Sequence, residues 1–373
     1  MATRTTKAAI LWNVNEPWSV EEVEIDDPVA GEVLVKLAAS GMCHSDEHLV
    51  TGDIPAPLPI IGGHEGAGVV EAVGAGVTNC AAGDHVVLSF IPSCGKCRWC
   101  STGHQNLCDL GAHLLDGVWI SDGTHRIRAR GQGLGTMVLL GTFSPYVVAH
   151  ESSVVKIDPD IPLDKAALLG CGVVTGWGSS VYAGEVEPGD TVVVVGVGGI
   201  GANAIQGAKL AGAKRIVAVD PFEYKREQAQ VFGATDVCAS LEDAFPLVGQ
   251  ITWGVMADKV ILTTSVAEGH LIAPAMQLVR KAGRLVVTSV APWNQNEVSL
   301  NLFDLSMMQK EVRGTIFGSA NPRADIPKLL GLYREGKLLL DELVTRTYGL
   351  EDINQGYQDM RDGKNIRGVI VYD

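Results

Sequence analysis

The sequence predicts an α/β chain built of two domains, one β-rich and one a doubly wound parallel sheet. Three observations predict it. The first 90 residues hold short β-branched runs separated by glycines, with no sustained helical period. From Thr191 the pattern changes to buried strand, glycine-rich turn, helix and strand, and the alternation then continues. At 373 residues the chain is long enough for two separate cores.

Composition limits what such a chain can do. A hydrophobic share of 46% and a charged share of 19% are those of an ordinary globular protein. The net charge of −14 argues against nucleic acid or anionic membrane as a partner. No signal-like segment or membrane-length apolar run is present in the sequence. Of the eight cysteines, four fall between Cys94 and Cys108, a spacing for metal ligands in a reducing compartment, so the expected location is the cytosol.

In the β-rich part, residues 33–37, 67–73 and 85–88 read as strands. Between them lie Gly41-Met42-Cys43-His44-Ser45 and Gly63-His64-Glu65. Cys43 and His64 are half of a tetrahedral zinc shell, and a catalytic zinc needs a third protein ligand and an open fourth position. Cys171, flanked by Gly170 and Gly172, is the candidate. The bland alternative is two buried cysteines and a satisfied core histidine. Cys94, Cys97, Cys100 and Cys108 form C-x2-C-x2-C-x7-C, a closed four-thiolate shell with no place for water, hence a structural zinc. Residues 109–145 lack periodicity and are expected to be a long surface excursion lining a substrate entrance.

The strand at 191–195 runs into Gly196-Val197-Gly198-Gly199-Ile200-Gly201, a helix over 202–211 and a strand over 215–219 that ends in Asp220. The glycines permit a tight turn, close approach of a pyrophosphate and close helix–strand packing, and the helix N-terminus supplies N–H groups for phosphate. A carboxylate at Asp220 hydrogen-bonds an adenosine ribose and repels a 2′-phosphate, which favours NAD(H). Further strands are expected at 258–263 and 284–288, with a crossover helix over 268–281. A helix over 326–334 and a strand over 367–372 return the chain to the first domain, so the nucleotide domain is an insertion.

Taken in order, these motifs resemble the zinc-dependent medium-chain alcohol dehydrogenases of the long, two-zinc type, from about Lys7 to Tyr372. Gly170-Cys171-Gly172-Val173-Val174-Thr175-Gly176 completes the set. Stretches such as 302–306 and 354–359 are most similar to the actinobacterial nitroso-acceptor (NDMA-dependent, nicotinoprotein) branch. The resemblance implies a GroES-like catalytic domain (1–172 and 316–373, with the lobe 94–108), a Rossmann coenzyme domain (173–315) and an active site in the cleft between them. It implies one catalytic zinc on Cys43, His64 and Cys171, with Glu65 behind it as a tuning group or occasional ligand, and one structural zinc on the lobe. Ser45 and His48 match the family's proton relay, and the reading places His48 at the surface. Lys225 matches the basic residue near the adenosine ribose, His44 and Arg367 the pyrophosphate contacts, and Ile200 and Thr175 the neighbours of the nicotinamide. Ile54, Phe90, Leu107 and His113 fall where relatives line the substrate channel.

The implied reaction is hydride transfer between a zinc-bound primary alcohol or aldehyde and NAD(H), with the cofactor exchanging or permanently bound. A homodimer is the default, with a homotetramer as the alternative. The competing activity is oxidation of S-(hydroxymethyl)glutathione. That branch carries Arg where this chain has Ala112 and tends to place an acid where it has Ile54. Cys80 and Cys238 have no motif partner and read as core.

Overall fold

The computed structural model describes residues 3–373. They divide into two compact units. One comprises the chain up to Cys171 with Asn321–Glu335 and Leu340–Asp373, the other Gly172–Ala320 with Gly336–Leu339.

In the first unit the long strand Glu32–Met42 is central. It pairs antiparallel with Glu65–Val73, Tyr146–His150 and the C-terminal strand Arg367–Val371. Val33, Val35 and Leu37 are buried on it, in one cluster with Leu88, Val147 and Ile370. Each such side chain contributes roughly 1.5–3 kcal/mol by leaving water. Register then positions chemistry, because Gly41 lies opposite Glu65 and Met42 opposite Gly368. Cys43, Glu65 and Arg367 therefore meet at one end of the sheet.

A second sheet corrects the expectation for residues 109–145. Ile127–Ala129, Gln132–Gly133 and Gly135–Thr136 join Ser19–Asp26, Thr3–Leu11 and Ile60–Ile61 in it. Trp119, Leu134, Leu140 and Phe143 are buried. Strands of two or three residues are too short to show alternation, so this segment reads as irregular although it is woven into the core.

The second unit holds a parallel sheet in the order Asp236–Cys238, Arg215–Val219, Thr191–Val195, Ala257–Leu262, Val279–Val287, Glu311–Gly314. This is the 3-2-1-4-5-6 order of a doubly wound dinucleotide fold. Val192, Val193 and Val194 have no exposed surface, as a strand covered on both faces requires. The crossover helix is shorter than expected. It runs over Ile272–Leu278, and Val279, buried in the sheet, pairs with Ala257. Arg280 and Lys281 follow in the register shift between Val279 and Arg284. No single helix among the described residues is long and apolar enough to cross a membrane.

Candidate active site and metal centres

Cys94, Cys97, Cys100 and Cys108 bring their sulfurs within 4.8 Å of one another. Cys94 Sγ to Cys100 Sγ and Cys97 Sγ to Cys108 Sγ are both 4.0 Å. Four sulfurs about 2.3 Å from a tetrahedral zinc sit about 3.8 Å apart, so the lobe is close to the required shell. Backbone N–H groups of Cys97 and Cys100 donate to Cys94 Sγ at 3.3 Å and Cys97 Sγ at 3.4 Å. The N–H groups of Asp109 and Cys100 lower the Cys97 thiol to about 6, whereas burial pushes Cys108 up to about 12.

The second donor group comprises Cys43, His64, Glu65 and Cys171, all buried and again within 4.8 Å. Cys43 caps the helix His44–Thr51, and its N–H donates to Asp46 Oδ2 at 3.3 Å. Asp46, wholly buried, also accepts from Gly63 N at 2.8 Å and lies 3.2 Å from His64 Nδ1. A carboxylate only accepts, so Nδ1 carries the proton and Nε2 is left for a metal. Asp46 escaped the sequence reading, although its place three residues after the cap is where a capping acid belongs. Cys171 arrives from the short helical turn Ala167–Gly170. A Cβ on Gly170 would sit 2.4 Å from Leu88 O, so only glycine brings the ligand this close to the sheet.

These groups compete for protons. The Cys171 hydrogen bond holds the Cys43 thiol well below the usual thiol range, and the same bond together with burial raises Cys171. Burial opposes the charged imidazole of His64, but Asp46 and Cys43 outweigh it and raise it. Burial raises Glu65 against the pull of Arg367, with which it forms a buried ion pair. Arg367 Nη2 also donates to Met42 O at 3.1 Å.

Ser45 Oγ lies 3.6 Å from Cys43 Sγ. The helix places Ser45 and His48 three residues apart on neighbouring positions. His48 is not at the surface: it is 1% exposed, and its Nδ1 is 2.9 Å from Asp53 Oδ2. His44 packs edge-on to the His48 ring at 5.1 Å. Phe90 lies edge-on to His64, ring centres 5.7 Å apart. Ile54 lines an apolar pocket with Leu49, Leu114, Leu115, Met137 and Val138. Leu107 and His113 do not line it; Leu107 is 44% exposed and His113 pairs with Asp116 on the surface. Val138, at φ 41, is a β-branched residue in the left-handed region, an outlier of the kind that gathers at ligand sites.

In the second unit the strand Thr191–Val195 ends in Gly196 at φ +92, and Gly198 caps the helix Gly199–Leu210. Thr263 Oγ1 donates to Gly196 O at 2.7 Å. Asp220 is buried, its two oxygens accepting from Val197 N at 2.8 Å and Phe222 N at 3.0 Å. Thr175 is buried and Ile200 half-buried. Lys225 Nζ lies 5.3 Å from the Phe222 ring centre. Arg226, not singled out from sequence, donates to the carbonyls of Asp220 and Pro221 at 2.8 Å.

Two family models match the chain: the alcohol dehydrogenase GroES-like domain over residues 29–159 and zinc-binding dehydrogenase over 199–335. Alcohol dehydrogenase B of Mycobacterium tuberculosis is 55% identical over 368 residues, 98% of each chain. This chain belongs to the zinc-containing medium-chain alcohol dehydrogenases. An NDMA-dependent alcohol dehydrogenase of Amycolatopsis methanolica is 51% identical, covering 98% of this chain and 99% of its own. The crystal structure of benzyl alcohol dehydrogenase from Acinetobacter calcoaceticus superposes with a TM-score of 0.91 at 31% identity, over 99% of this chain and all of the other.

Members of this alcohol dehydrogenase family are oxidoreductases that act on CH–OH groups with NAD(H), and the two donor groups are its zinc sites. The residues fit the metal on their own chemistry. His64 Nε2 is buried with no hydrogen-bond partner, and a buried imidazole nitrogen facing two thiols is satisfied by a cation. Cys80 and Cys238 stand outside both groups, 9% and 8% exposed. Burial pushes Cys80 up to about 11 and raises Cys238 as well. In the zinc-loaded enzyme at about pH 8 both are expected to resist iodoacetamide while a free peptide thiol reacts fully. Rapid labelling of either, mapped by peptide mass, would contradict the core assignment.

Proposed function

We propose that this dehydrogenase interconverts primary alcohols and aldehydes and keeps its NAD(H) bound between turnovers, as a nicotinoprotein of the NDMA-dependent type. The observation that carries the alcohol chemistry is the buried Cys43, His64 and Cys171 set with its imidazole oriented by Asp46. The 51% identity to an NDMA-dependent enzyme over nearly the whole chain supports the retained cofactor. Zinc held there supplies Lewis acidity, which makes an alcohol easier to deprotonate.

The chain's own residues do the rest. Two thiolates and a neutral imidazole balance the zinc charge, and Glu65, neutralised by Arg367, sits behind them as a tuning group. The Ser45 hydroxyl and the His48 imidazole hold and pass the proton that the alcohol gives up. Gly196, Gly198, Gly199 and Gly201 admit a pyrophosphate at the helix N-terminus. Asp220 retains lone pairs beyond its two backbone contacts and takes the adenosine ribose, with Lys225 beside it, so NAD(H) is preferred over NADP(H). Ile200 and Thr175 flank the nicotinamide.

Ile54, Phe90 and the apolar side chains around Ile54 fit an uncharged alcohol, aromatic ones included, as in the name of the benzyl alcohol dehydrogenase above. The glutathione-adduct reading has less support, with Ala112 and Ile54 where that branch uses charge. We also read the enzyme as a cytosolic homodimer joined at the edge strand Glu311–Gly314, near exposed Leu302, Phe303 and Met307.

The test is an absorbance spectrum of extensively dialysed protein before and after an alcohol is added without NAD. The expected result is an NADH-like band that persists or grows. A spectrum that responds only to added NAD would mean an ordinary, cofactor-exchanging enzyme.

A further inference from the structure

The helix His44–Thr51 ends at Gly52, which at φ +80 adopts the left-handed conformation that glycine favours, and the chain there turns back on itself. Ile54 N donates to His48 O at 3.1 Å, fixing the returning strand of the turn. The consequence is that Asp53 is laid against the ring of His48, with Oδ2 2.9 Å from Nδ1. Thr51 Oγ1 donates to the same oxygen at 2.8 Å, so the carboxylate is gripped from two sides. The histidine side chain is 2% exposed and that of Asp53 25%. The imidazole is thus walled in, and the carboxylate on its Nδ1 reaches solvent.

We propose that Asp53 is a positioning residue for the reaction: it accepts the Nδ1–H of His48, fixes the tautomer that leaves Nε2 as the proton acceptor, and carries the proton's route onward to water. The inference rests on the relay reading of Ser45 and His48 given above. Its logic is that of Asp46 and His64 a few residues away, where a carboxylate on Nδ1 dictates which nitrogen does the work. The two pairs serve different ends, since Asp46 is wholly buried whereas Asp53 opens to solvent. The hydrogen bond from His48 and that from Thr51 hold the Asp53 carboxyl below the usual range against the effect of burial, so it is an ionised acceptor near neutrality. Balance is simple: the alcohol's proton goes to Nε2, the Nδ1 proton leaves to water by way of Asp53 Oδ2, and a proton shift through water from Nε2 to Nδ1 restores the starting tautomer, so one proton is released per turnover.

Among the groups facing the ring are His44, edge-on in the same helix, and Asp53. Glu47, its neighbour in the helix, is engaged by Arg361 at 2.5 Å. Of the two acids, Asp53 is the one that contacts Nδ1.

A double-mutant cycle with a spectroscopic probe tests this on the full-length, zinc- and nucleotide-loaded enzyme. In 15N-histidine-labelled protein the His48 ring, assigned by its loss in H48Q, is expected to show protonated Nδ1 and unprotonated Nε2, and in D53A a mixture of tautomers. Single-turnover oxidation of an alcohol is expected to slow about tenfold or more in D53A, in the range of a weakened acid–base group, with little change in alcohol affinity. D53N, which cannot take up the proton and can present its amide N–H to Nδ1, should not recover the rate. In the H48Q background D53A should cost nothing further, because Asp53 acts only through His48. An unchanged tautomer in D53A, or a full additive loss in the double variant, would overturn the proposal while leaving the relay intact. A wild-type rate in H48Q would remove the relay itself, and this role for Asp53 with it.

Discussion

Cys43→Ala is expected to lower kcat/KM for alcohol oxidation by at least about a thousandfold and to leave the enzyme with one zinc per chain in place of two. A Lewis-acid metal contributes several kcal/mol to such a reaction, and about 4 kcal/mol corresponds to three orders of magnitude. The backbone N–H of residue 43, which holds Asp46 and through it His64, is kept in alanine, so the loss expected is that of the thiolate ligand itself. The four-cysteine lobe shares none of these contacts, so its zinc should remain. Steady-state kinetics and metal analysis on the same preparation decide it. Near-native turnover in the variant would refute the assignment of this group as the catalytic centre, and loss of both metals would show that the two sites do not fold independently.

Much of this site was legible in the sequence because its chemistry lies in residue types that carry their own spacing rules. A C-x2-C-x2-C-x7-C run has few uses other than a closed tetrahedral shell, and strand, glycines, helix, strand and acid in that order have few uses other than a dinucleotide. What escaped was set by tertiary pairing. His48 was expected at the surface as the end group of the relay, but the turn at Gly52 and the packing of the helix bury it. Asp46 and Asp53 look like ordinary helix-end acids, and only the fold shows that each touches an imidazole. The 109–145 segment was expected outside because its strands are two or three residues long, and a period cannot be read from so few. Met137 and Val138, which line the apolar pocket beside Ile54, are marked by no motif.

The glycines of the nucleotide loop separate two physical roles that sequence treats alike. An added Cβ at Gly201 would lie 1.9 Å from Gly196 O and 2.9 Å from Thr263 Oγ1. Both neighbours are fixed, since Gly196 O is already the acceptor for the Thr263 hydroxyl and Gly196 sits at φ +92. Gly201→Ala therefore forces the strand end and the helix apart. The expected cost is about 3 kcal/mol, or roughly 6–12 °C in Tm, together with loss of bound nucleotide. At Gly198 an added Cβ meets nothing within 4 Å, and the backbone there, at φ −89, suits any residue. If that glycine exists to let a pyrophosphate approach, Gly198→Ala should keep the Tm of nucleotide-free wild type and still lose nucleotide. Thermal unfolding and the nucleotide absorbance of the two purified variants make the comparison. Equal destabilisation of both would mean that the loop is built for packing alone, whereas a stable Gly198→Ala that retains its nucleotide would mean that the phosphates do not pass where the fingerprint places them.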